Sequence, residues 1–120
     1  MKIIIVGLGQ TGRQLLSSLA GENIDIVVID QDQKLVDEAT DRFSVNGIVG
    51  SAASRETLLA AGADTADIIL ALTRIDEVNL LSCMQAKALG TRFSAARIVM
   101  SDLVNEAKSL RREYSIDLIM

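Results

Sequence analysis

The residues whose spacing could do chemistry stand at the start of the chain. Gly7, Gly9 and Gly12 form a Gly-x-Gly-x-x-Gly pattern, entered from the apolar run Lys2-Ile3-Ile4-Ile5-Val6. A strand that ends this way and turns into a helix presents the helix's first unpaired N–H groups, with their partial positive charge, to an anion. Each glycine has its own reason to be there. Gly7 permits the tight turn, Gly9 lets backbone approach a pyrophosphate, and Gly12 lets the helix pack closely on its strand. Asp30 lies eighteen residues beyond Gly12, at the end of a second apolar run that starts at Ile24. An acid at about that distance accepts hydrogen bonds from a ribose 2′-hydroxyl. A plain glycine turn in a βαβ unit would require neither the acid nor this order of parts.

The elements that position these residues follow from the apolar spacing. Lys2–Val6 reads as a strand buried on both faces, and Gly12, Leu15, Leu16 and Leu19 share one face of the helix after it. Asp32 caps a second helix with Leu35, Val36 and Ala39 on its apolar stripe, running to about Arg42. Phe43–Val49 is a third strand, with Asn46-Gly47 as a weak spot or bulge. A small-residue loop, Gly50–Ser54, leads to a short helix that Gly62 stops. Strands are then predicted at Ala66–Leu72, Ser94–Met100 and Ile116–Met120. The helices between them run from Asp76 to about Leu89, and from a cap at Ser101 or Asp102 to about Arg112.

Strand and helix alternate six times, with neither linker nor repeat. The pattern predicts one α/β domain over 1–120: a Rossmann-type, doubly wound, six-stranded parallel sheet with helices on both faces. Right-handed crossovers and the glycine pattern select the order 3-2-1-4-5-6. A ligand then lies over the carboxyl ends of strands one and four, where the order reverses. Gly7–Gly12, Asp30, Ser51-Ala52 and Thr73 all fall on that edge.

Composition narrows the function classes. Net charge is −4 without a basic patch and aromatics are 2%, which argues against nucleic acid as the main partner. There is no histidine, the commonest metal ligand and general base. A single cysteine, Cys83, excludes an internal disulfide and lacks a resolving partner. No apolar run is long enough to span a bilayer and no signal-peptide pattern opens the chain, so a cytosolic location without membrane insertion is expected.

Thr73-Arg74-Ile75-Asp76-Glu77-Val78-Asn79 carries a more specific pattern than the glycines. With Ile5–Gly12, Val28-Ile29-Asp30-Gln31-Asp32, Val45–Ser54, Leu59–Asp67, Ala86–Gly90 and Ala96-Arg97, the chain resembles the N-terminal nucleotide-binding domain of TrkA-type potassium-uptake regulators. This is also called the RCK or KTN domain, and the resemblance covers nearly the whole chain. It implies a regulatory domain rather than an enzyme, on the cytoplasmic side of a membrane potassium transporter or channel subunit. Such domains bind NAD(H) or the adenine nucleotides ATP, ADP and AMP, and assemble as dimers or larger rings. Carried over, Gly7, Leu8, Gly9, Gln10, Thr11 and Gly12 hold the pyrophosphate, and Asp30, with Gln31 and Asp32 beside it, takes the adenosine ribose. Ser51-Ala52 lies against adenine, Thr73 lines the central crevice, and Arg97 faces the phosphates or a partner subunit. Gln10 stands where ATP-reading relatives tend to carry a basic residue, which favours NAD(H). Val99 replaces a second arginine frequent in the family, and Ser115 a usual glycine. Relatives continue into a smaller second domain, so 1–120 is expected to be an N-terminal piece.

Several residues carry two readings. Asp32 is a helix cap or a second ribose contact. Arg97, at the end of an apolar strand, needs a partner for its charge, either a carboxylate or a phosphate. Asp76 reads as a helix N-cap, Glu77 and Asn79 as surface residues, and Cys83 as core. Leu103, Val104, Ala107 and Leu110 give the last helix an apolar stripe for self-association or for the sheet. Two other functions compete. An NAD-dependent oxidoreductase fragment would need an acid or base at the nicotinamide, yet none of Lys2, Lys34, Lys87 and Lys108 falls at a strand's carboxyl end. A nucleotide-sensing module of another transporter would share every feature above.

Overall fold

Six strands lie in one all-parallel sheet in the order 3-2-1-4-5-6, as the alternation of elements predicts. The structure is a computed structural model that describes residues 1–100 and 105–120. In chain order the elements are β1 (Lys2–Val6), α1 (Gln10–Leu19), β2 (Asp25–Asp30), α2 (Gln33–Arg42) and β3 (Asn46–Val49). They continue with α3 (Arg55–Ala60), β4 (Ile68–Ala71), α4 (Asp76–Leu89), β5 (Phe93–Ala96), α5 (Ala107–Glu113) and β6 (Leu118–Ile119). Ser101, Asp102, Leu103 and Val104 lie outside the described residues, as do the side chains of Ala107 and Leu110, so the cap and stripe expected there are not placed.

The strand period of two divides the core. Ile3 and Ile5 of β1 pack with Ile26 and Val28 of β2 against Leu16 of α1 and Val36 and Ala39 of α2. Ile4 and Val6 pack with Val27 and Ile29 against Leu58 of α3 and Leu80 and Cys83 of α4. Full burial of each such isoleucine or valine contributes about 1.5–3 kcal/mol, so β1 is held from both sides. Its neighbours are β2 and β4, and the chain therefore reverses direction across the sheet at β1.

Expected strand bounds shift and an expected bulge is absent; β4 and β6 are shorter than Ala66–Leu72 and Ile116–Met120. β3 begins at Asn46, because Phe43 ends α2 by donating its N–H to Ala39 and Val45 N–H turns back on Phe43. Gly47 is no bulge. It sits in regular register with Val28, where a β-carbon would press Val36 and Thr40 of α2. β5 ends at Ala96 although the apolar run continues, because the chain turns off the sheet to meet Asp76.

That turn exposes the job of α4. Asp76 is not an N-cap; Ile75 takes that place. The Asp76 carboxylate is buried and accepts the backbone N–H groups of Val99, at 3.1 Å, and Met100, at 2.7 Å. Asn79 is not a surface residue but fully buried. Its Oδ1 accepts from Thr73 N at 3.0 Å, and its Nδ2 donates to the carbonyls of Thr73, at 3.1 Å, and Arg97, at 2.7 Å. Ser82 Oγ reaches the Ala52 carbonyl at 3.0 Å, and Gln85 Nε2 donates to Ala53 at 2.6 Å. One helix thus holds the loops that follow β3, β4 and β5.

Ser115 occupies a left-handed backbone position, φ 55°, a conformation that favours glycine. Ser115→Gly should raise stability by about 0.5–1 kcal/mol, seen as a melting temperature higher by a few degrees, and Ser115→Val should lower it. A glycine variant that melts no higher would contradict the strain. Asn79→Ala should cost about 2–4 kcal/mol in denaturant titration, because it leaves Thr73 N–H and the Arg97 carbonyl without their partner. A loss below about 0.5 kcal/mol would mean that the clamp is idle.

Candidate functional site

A cleft of about 530 Å³ opens over the carboxyl ends of β1 and β4, where the strand order reverses. Open parallel sheets bind ligands at that place, and the volume lies in the range of small-molecule sites.

The floor is built by the glycine loop. Gly7 has φ 97°, and a β-carbon on it would come within 3.0 Å of the Leu72 carbonyl carbon and Thr73 nitrogen. A β-carbon on Gly12 would overlap the Gly7 carbonyl oxygen, so α1 packs directly on the loop. Gly9 is different, since a β-carbon there would meet nothing within 4 Å. The protein's own packing therefore does not require glycine at position 9. Gly7, Gly9, Gln10 and Thr11 line the cleft, while Leu8 and Gly12 are buried behind it.

The amino end of α1 has no side-chain cap and no acid in its first turn. By contrast, α2 and α3 are capped by Asp32 and Ser54, and α4 carries Asp76 and Glu77 in its first turn. The orphan amides and the positive dipole end of α1 are therefore left for something in the cleft.

Asp30 ties two walls together. Its Oδ2 accepts the Leu8 N–H at 2.8 Å and its Oδ1 accepts the Asp32 N–H at 2.9 Å. A carboxylate oxygen can accept two hydrogen bonds, so one position on each remains open toward the cleft that Asp30 lines. Gln31 lines the cleft as well. Asp32 does not; its carboxylate accepts the Lys34 N–H at 2.9 Å as the cap of α2.

Ser51 and Ala52 form the wall after β3, and Ser51 Oγ accepts the Ala53 N–H at 3.2 Å. Thr73 lines the middle, but its hydroxyl is already committed. It lies 2.6 Å from Asn79 Oδ1 and 3.1 Å from the Ile75 carbonyl, and accepts the Ile75 N–H at 3.2 Å. Thr73 thus shapes the loop rather than offering a spare donor. Arg97 lines the far side, half-buried, and among the described residues no carboxylate lies within ion-pair distance of it.

The structure adds residues that the sequence reading passes over. Arg74, Ile75, Val78 and Leu35 also line the cleft. Arg74 follows Thr73 directly at the carboxyl end of β4, so the rule that selects Thr73 would have found it. Cys83 is core, as expected, and burial pushes its thiol up to about 12, which keeps it protonated and unreactive at neutral pH. Among the described residues no helix is long and apolar enough to cross a membrane.

Known proteins similar to this chain share its fold. Residues 3–119 match the family model of the TrkA-N domain. The Trk system potassium uptake protein TrkA of Vibrio alginolyticus is 36% identical over 117 residues, 97% of this chain but 26% of that protein. The chain thus spans about a quarter of this curated relative. Among solved structures, the TrkA-N domain of the inner membrane protein ybaL from Escherichia coli has a TM-score of 0.87 at 23% identity, over 99% of this chain and 85% of that one. The GsuK channel bound to NAD has a TM-score of 0.81 at 19% identity, over 99% of this chain and 21% of that one. The likenesses in structure show a shared fold, and the match over 3–119 goes further: this chain belongs to the TrkA-N domain family.

Proposed function

We propose that this domain is a cytoplasmic regulatory module that binds NAD(H), or failing that ATP, ADP or AMP, and couples its occupancy to a membrane potassium transporter. The observation that carries the proposal is the pairing of Asp30 with the uncapped amino end of α1 across one cleft. A carboxylate with free acceptor positions suits ribose hydroxyls, and unpaired helix amides suit a pyrophosphate. A nucleotide carries both groups. Ser51-Ala52 then faces the base, Gln31 lies beside the ribose, and Arg97 meets phosphate charge. The coupling rests on family membership and on the potassium uptake relative that shares most of this chain's length. NAD is favoured by Gln10, a neutral residue in the glycine loop, whereas solved structures of the same fold are bound to NAD, ADP or AMP and do not choose among them.

An oxidoreductase needs a group that moves a proton at the nicotinamide. Among the described residues lining the cleft, Asp30, Arg74 and Arg97 are the charged ones, and Asp30 is engaged by two backbone amides. None is suited to that role, which favours a sensor over a catalyst.

Calorimetric titration should give tighter binding of NAD than NADP by tens to hundreds of times. A 2′-phosphate would meet the Asp30 carboxylate, a clash on the order of a few kcal/mol. Asp30→Ala should weaken NAD and narrow the gap. Gly9→Ala should fold normally, given the open space at its β-carbon, yet lose binding because the methyl stands where the pyrophosphate lies. Equal affinities for NAD and NADP, or a Gly9→Ala variant that binds like the parent, would contradict the placement.

The partners in this reading are a transporter or channel subunit and further copies of the domain, in a dimer or ring. Sedimentation should show self-association of the domain at high concentration, and a monomer throughout would count against pairing through this domain.

A further inference from the structure

We propose that Arg74 is a phosphate-contacting residue of the cleft, a second guanidinium beside Arg97 that makes binding depend on the ligand's phosphate charge. This rests on the nucleotide reading above and deepens it. Arg74 sits at the tip of a short turn between Thr73 and Ile75. Both ends of that turn are fixed, because Thr73 Oγ1 bonds to the N–H and lies near the carbonyl of Ile75, while Asn79 holds Thr73 N–H and carbonyl. The backbone of Arg74 is therefore positioned, and this exposed residue lines the same cleft as Gly9 and Thr11 at the amino end of α1.

The charge inventory points the same way. Among the described residues the one ion pair is Lys87–Asp117, neither member of which lines the cleft, and no described carboxylate lies within ion-pair distance of Arg74 or Arg97. In a chain of net charge −4, the cleft holds two guanidinium groups against the single carboxylate of Asp30. Asp30 ends β2, whereas Arg74 and Arg97 follow β4 and β5, so the cleft is polarised along its length. A ligand that matches has hydroxyls at one end and concentrated negative charge toward the other. Planar, five-donor guanidinium groups suit phosphate oxygens in particular.

The test is calorimetric titration of the parent domain, Arg74→Gln and Arg74→Lys with ADP and with adenosine, at low and moderate salt. Arg74→Gln should weaken ADP by about fivefold, the scale of one solvent-accessible charge contact, and leave adenosine within about twofold. Arg74→Lys should recover most of the loss, and the difference between parent and Arg74→Gln should shrink as salt rises. An Arg74→Gln variant that binds ADP like the parent would overturn the proposal while leaving the nucleotide site intact. Equal weakening of ADP and adenosine would overturn it too, by showing that Arg74 acts through the turn or by stacking on the base. A parent domain that binds neither ADP, adenosine nor NAD would overturn the site reading, and this proposal with it.

Discussion

The cleft depends on hydrogen bonds from one helix. Asp76, Asn79, Ser82 and Gln85 stand at every third position of α4 and reach out to backbone groups of three separate loops. A parallel sheet leaves the carboxyl ends of its strands as loose ends, whose backbone groups must find partners elsewhere. Here α4 supplies them for the loops after β3, β4 and β5. The bonds are individually modest, about 1 kcal/mol each, but leaving a buried partner unmade costs more, so the loops have little alternative. Asp30 does the same on the other side, tying the glycine loop to the end of β2 through Leu8. These two anchors fix the walls of the cleft.

That arrangement separates residues that build the cleft from residues left to face its contents. The hydroxyl of Thr73 and both polar atoms of Asn79 are consumed by the clamp. The amides at the start of α1, the free positions on Asp30, and the guanidinium groups of Arg74 and Arg97 are not. Their spacing from strand to strand sets a polarity along the cleft, and a flat, neutral ligand would waste it. Preorganised groups of this kind lower the ordering cost of binding.

Much of this was legible in the sequence, for local reasons. The period-two pattern of β1 and β2, the glycines, the acid ending β2 and the caps at Asp32 and Ser54 are all written within a few residues of where they act. They give the sheet order and, through it, the glycine loop, Asp30, Ser51-Ala52 and Thr73 in the cleft lining, while Gln31 and Arg97 enter through the family resemblance. What escaped acts at a distance. Asp76 and Asn79 reach backbone eighteen to twenty-four residues away, and nothing in their neighbourhood distinguishes a buried acceptor from a surface polar residue. The end of β5 is hidden for the same reason: Ile98, Val99 and Met100 continue an apolar run, and the bonds that hold this stretch off the sheet come from Asp76 and Asn79. Gly47 was misread because its glycine serves α2, packed over it, rather than its own strand. The one trace of the clamp in sequence was the Thr-x-x-Asp-Glu-x-Asn pattern, specific as a resemblance but silent about what it holds.

The proposed function requires that these anchored loops form one nucleotide site over the carboxyl ends of β1 and β4. Amide NMR spectra of the labelled domain, recorded during titration with NAD, test it most directly. The account predicts saturable shifts concentrated in the glycine loop, at Asp30 and Gln31, at Ser51-Ala52 and around Thr73, with α5 and β6 little changed. Saturable shifts confined to other surfaces, or none at millimolar NAD, would contradict it.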